Sequence, residues 1–156
     1  MTWMMVVQWL HVLAGLTWFG GYLVMALGVW PALLRRPAGE ARAVWEGLEK
    51  GVGPLMLVSG TVVFWAGVAR GTLLGPVRSF EVLFGSAYGL TFVTALLLTL
   101  GLTVYGAVSS RKLPAMVWEG DRFRTDAAAY LRRSYALSLG LFAAVLACMV
   151  LMRFGL

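Results

Sequence analysis

Apolar positions dominate four long uncharged stretches of this chain, 1–34, 51–69, 82–110 and 134–152, with the charged residues gathered between and after them. Each stretch reaches the ~17–25 residues an α-helix needs to cross a hydrocarbon core of ~30 Å. The pattern therefore predicts four transmembrane helices, at about 3–34, 51–69, 82–110 and 134–153, joined by polar segments at 35–50 and 111–133. The predicted architecture is an all-α integral membrane four-helix bundle forming a single membrane domain over 1–156. No internal repeat or low-complexity tract competes with that reading.

Local signals refine the helices. The first is longer than the bilayer requires at ~1.5 Å per residue, so it tilts, projects or bends, with Gly20-Gly21 and Pro31 as the expected bend points. Its length and its lack of a basic leader favour a retained helix over a signal peptide. Trp3, Trp9 and Trp30 suit the aromatic belts at the two interfaces. In the first polar segment Ala41, Val44, Trp45 and Leu48 have helical spacing, which predicts either an amphipathic segment at the interface or a solvated loop helix. Pro54 falls in the expected first turn of the second helix, where proline is tolerated. Gly85 and Gly89 form a small-xxx-small step that would let two helices approach closely. Thr125 or Asp126 is the expected cap of a cytoplasmic extension of the fourth helix.

Composition supports the membrane assignment. The chain is 60% hydrophobic and 13% charged, whereas soluble domains are about a quarter charged. The net charge of +6 would suggest nucleic acid until the charges are placed. Arg35, Arg36, Arg42 and Lys50 lie in the first polar segment, and Arg111, Lys112, Arg122, Arg124, Arg132 and Arg133 in the third. Only Arg70, Arg78 and Arg153 fall on the other side. The positive-inside rule then puts both basic segments in the cytoplasm and both termini on the outer face, as expected in a bacterial-type cytoplasmic (inner) membrane. The basic surplus is a topology signal with anionic-lipid contact, and no nucleic-acid partner is expected.

The sequence lacks the residues for much enzyme chemistry. The acidic residues all lie in the polar segments or at helix ends, so no intramembrane carboxylate is placed for a proton relay. There is no phosphate-binding loop and no CxxC, and Cys148 is the only cysteine. What remains is His11, the only histidine, set in "QWLHVLAGLTWFGG". It lies about eight residues inside the first helix, roughly 12 Å down. The fourth helix returns to the same face, so Cys148, Met149 and Met152 are expected at similar depth. Imidazole with thiolate or thioether sulfur can ligate copper(I), and His/Met is an axial pair for haem iron. Ala14 and Gly15, one turn on from His11, leave room for a flat ligand, and Gly85 and Gly89 offer the same on the third helix. A site built on His11 alone would be completed by a second copy of the chain. The plainer alternative is a packing histidine, hydrogen-bonded to a residue such as Thr17, Ser86 or Tyr88.

The stretch "LHVLAGLTWFGGYLVMALGVWPALLRR" resembles the first helix of the copper-resistance D-like membrane proteins through His11, Trp18, Gly20, Gly21, Pro31, Arg35 and Arg36. "GSAYGLTFVTALLLTLGLTVYGA" is similar to a later helix of that group, through Tyr88-Gly89. The same first-helix region resembles the four-helix HemJ-type protoporphyrinogen oxidases. That resemblance implies haem b on a first-helix histidine, here His11, and a lysine in a later helix. Thr94 and Ala95 stand where the lysine would be sought. The departure argues against protoporphyrinogen oxidation and leaves haem binding open.

The leading expectation is a small membrane haem-b protein with His11 as axial ligand and a redox or electron-transfer role, its substrate a quinol or similar lipophile. The alternatives are a copper-handling protein using His11, Cys148, Met149 and Met152, and an accessory subunit in which His11 only packs. A homodimer or a partner within a membrane complex fits any of the three.

Overall fold

The computed structural model describes residues 2–156. Four long helices carry the chain: α1 (Trp3–Leu33), α2 (Ala38–Gly71), α4 (Ala87–Val117) and α5 (Ala127–Arg153). A short α3 (Phe80–Gly85) precedes α4, and a two-residue hairpin, β1 (Trp118–Glu119) with β2 (Arg122–Phe123), precedes α5. All four long helices are apolar enough to cross a membrane, so this is a multi-pass helical bundle. α1 packs chiefly on α2, and α4 on α5. The rings of Trp18 and Tyr22 on α1 meet Phe142 on α5, and Tyr22 also meets Tyr135. The two helices thus run antiparallel, and the chain's two termini share one end of the bundle.

The other end carries the basic residues, and there the structure departs most from the sequence pattern. The 35–50 and 111–133 segments are mostly helix. α2 begins at Ala38 and runs unbroken for 34 residues, so the segment around Trp45 stands as an extension of the span rather than lying separately at the interface. α4 likewise continues past residue 110 to Val117. The reason is burial. Ala41 and Trp45 on α2, Leu113 and Val117 on α4, and Ala127 and Leu131 on α5 close around Trp30 and Trp118 in the larger of two cores. Trp30, expected at a membrane interface, is only 2% exposed, whereas Trp3 at the opposite end is 81% exposed.

Proline and glycine are accommodated locally. Pro31 has no N–H for the Leu27 carbonyl, and α1 responds with a widened π turn at Met25–Val29 just before it. Gly20 and Gly21 stay in regular helix. Pro54 lies well inside α2 rather than in its first turn. Between α3 and α4 the chain is extended at Ser86, whose hydroxyl accepts from the Gly89 N–H at 3.0 Å and caps α4. Asp126 occupies the N-cap position of α5 in a helical backbone conformation, and its carboxylate accepts from Arg124 instead of capping. The hairpin turns at Gly120, whose positive φ of 61° suits a residue without Cβ.

Candidate functional site

His11 lies on the face of α1 that packs against α2. A Cβ built on Gly67 of α2 would come within 3.3 Å of the imidazole Cε1, and one on Gly15 within 3.9 Å of Val63. His11 and Gly15 therefore share a face, and that face is occupied by α2. The absence of a side chain at Gly67 is what lets the ring sit down between the helices. On α2 the Val63 carbonyl and the Arg70 guanidinium lie close enough to the ring to act on it. His11 Nδ1 is buried without a hydrogen bond among the described residues. Such an atom in an apolar setting costs free energy while it stays unpaired. Of the packing partners expected for it, Thr17 donates to the Leu13 carbonyl and Ser86 caps α4.

The other predicted site residues lie on α3, α4 and α5. Gly85 ends α3 with open space beside it, whereas Gly89 lies beyond the break at Ser86. A Cβ at Gly89 would strike the carbonyls of Val82 and Leu83. The pair is thus a tight turn, not one helix face, and it forms no cradle for a flat ligand. Cys148 is buried on α5, with Met149 and Met152 half-buried beside it. No hydrogen bond joins these sulfurs to His11 among the described residues, and α2, the helix that His11 faces, carries no sulfur beyond Met56. Nor do three or more His, Cys, Asp or Glu side chains gather anywhere among them.

The enclosed space of the bundle lies nearer the basic end. A cavity of about 350 Å³ is walled by all four long helices, with Trp18, Tyr22, Met56, Leu102, Tyr105 and Tyr135 among its lining. Trp18 stands between it and His11: its ring packs edge-on against Phe142 at 4.9 Å and lies against Gly60 of α2. An imidazole has the right chemistry for haem iron, and the cavity walled by the four helices does not include His11 in its lining.

Compared with known protein families, curated proteins and solved structures, the chain shows no match. The sequence reading missed the cavity. Its signal was there in the hydroxyl residues set into apolar helices, above all Ser134, Tyr135 and Ser138, two of them four apart on one face.

Proposed function

We propose that the chain is a small haem-b protein of a bacterial-type cytoplasmic membrane, with His11 as axial ligand and a redox or electron-transfer role. The supporting observation is the single imidazole of the chain, set between α1 and α2 with Nδ1 buried and unpartnered among the described residues. A proton kept on Nδ1 would leave the Nε2 lone pair for a metal, the usual division of labour in a ligating histidine. Bound haem supplies one-electron chemistry. The chain's part is to hold the ring by α2 through Gly67 and Val63, with the rest of the porphyrin's surroundings coming from lipid or from a second copy of the chain. The first-helix resemblance to copper-resistance D-like and HemJ-type proteins points the same way.

In this reading the basic end is cytoplasmic and both termini are outside, because ten of the thirteen Lys and Arg residues sit at that end. Copper handling is the lesser reading, since α2, the helix that His11 faces, carries no sulfur beyond Met56. The test is the haem content of protein purified after expression with added haem precursor. One haem per chain or per pair of chains is expected, with loss in His11→Ala and in Gly67→Leu, whose side chain would collide with the imidazole. Absence of haem from the folded wild-type protein contradicts the proposal.

A further inference from the structure

We propose that the cavity at the basic end binds an uncharged, ring-bearing lipophile with acceptor oxygens, a molecule of the quinone class, which enters between α2 and α4. That it is the substrate site rests on the redox reading above; the binding itself requires nothing at His11.

The size fits first: about 350 Å³ lies at the lower end of the ~300–1,000 Å³ typical of small-molecule sites. The walls fit next. Trp18, Tyr22, Trp45 and Tyr135 present ring surfaces from three helices, with the Tyr22 and Tyr135 rings edge-to-face at 6.0 Å. A planar head group gains more from such walls than an alkyl chain does.

The polar groups define the rest of the ligand. Tyr105 donates to the Ser134 hydroxyl at 3.0 Å, so its proton is used. The Tyr135 hydroxyl accepts from Trp30 Nε1 at 2.9 Å and keeps its own proton to give. Tyr22 makes no hydrogen bond among the described residues, and its hydroxyl rests against Gly106, where a Cβ would collide with it. Trp45 lends its ring to the lining, while its Nε1 is buried out of reach of solvent. What the site holds in reserve is therefore hydrogen-bond donors, and a ligand that satisfies them brings acceptors.

Charge is confined to the mouth. Glu49 and Arg111 are the only ionisable Asp, Glu, Lys or Arg residues in the lining, one of each sign, and both come from the basic end of their helices. A neutral head can pass them, while an anion moving deeper meets no cation. Exposed Gly53 and Leu57 on α2 and exposed Ala107 and Ser110 on α4 border the cavity. α2 and α4 pack against each other less than either packs against its hairpin partner. A tail can leave by that gap into the bilayer while the ring stays inside.

The experiment is titration of a benzoquinone bearing a ten-carbon tail into the full chain in lipid nanodiscs, read by quenching of tryptophan fluorescence. Saturable quenching is expected for the wild type and equally for His11→Ala. Gly53→Phe, which blocks the mouth at a position where a Cβ meets nothing nearer than the Glu49 side chain at 4.0 Å, should abolish saturation. Tyr22→Phe, which keeps the ring and removes one donor, should weaken binding roughly fivefold to tenfold. Quenching that rises linearly with the quinone content of the membrane, alike in all four proteins, overturns the site. So does displacement by decanoic acid at the same concentration as the quinone. Saturable binding by a protein without haem would refute the haem reading and leave this one standing; haem binding without saturable quinone binding would do the reverse.

Discussion

Trp30 on α1 donates its indole N–H to the Tyr135 hydroxyl on α5 at 2.9 Å, joining residues 105 apart in sequence. The bond ties the first and last helices together where the π turn of α1 ends, and Trp30 also lies against Trp45 and Trp118, at ring-centre distances of 4.7 and 5.8 Å. Tyr135→Phe should leave that N–H buried and unpaired, with a loss of about 1 kcal/mol. Trp30→Ala should cost about 3–5 kcal/mol through the void it leaves. Thermal unfolding in mild detergent checks the order: equal losses in the two variants would remove Trp30 from the centre of this core.

The glycines divide into those the packing requires and those it does not. At Gly71 a Cβ would collide with the ring of Phe92, and at Gly89 with backbone carbonyls that cannot rotate aside. Gly20 and Gly140 have nothing within 4 Å of an added Cβ. Gly89→Ala should therefore lower the melting temperature or prevent folding, and Gly71→Ala should destabilise less because a side chain can shift. Gly20→Ala and Gly140→Ala should be neutral or stabilising by up to about 1 kcal/mol.

Ser86 holds the break between α3 and α4 by accepting from Gly89 N–H while donating to the Val82 carbonyl. Ser86→Ala should cost about 1 kcal/mol and speed amide exchange in the first turn of α4 while leaving α5 unchanged. Uniform exchange along α4 in both proteins would show that the cap is idle.

Orientation has a direct chemical test, because the chain has one cysteine and it is buried. In a Cys148→Ser background, Glu119→Cys in the hairpin should react with a membrane-impermeant maleimide only in inverted vesicles. Phe154→Cys, near the C-terminus, should react only in intact cells. The opposite pattern would invert the proposed topology.

Much of the architecture could be read from the chain because charge and hydropathy act over whole helices. Uncharged runs set the four spans, and apolar periodicity at Ala41 and Trp45 announced a helix in the first basic segment. What the pattern missed depends on tertiary contact. Trp30 looked like an interfacial residue because an indole suits that place equally well, and only packing against Trp45 and Trp118 shows that it is core. Gly85 and Gly89 have the spacing of a helix face, yet Ser86 between them can cap a helix, and that local hydrogen bond prevailed. His11 was legible as the one residue out of place, but its packing against Gly67 of α2 depends on helix rotation, which depth alone does not fix.

The most direct test of the account is the visible spectrum of the purified protein, oxidised and dithionite-reduced, beside that of His11→Ala. The account predicts a Soret band and reduced α and β bands of b-type haem in the wild type. It also predicts their loss in a His11→Ala protein that retains the wild-type far-ultraviolet circular dichroism. A colourless wild type prepared with ample haem, or an unchanged spectrum in the variant, would contradict it.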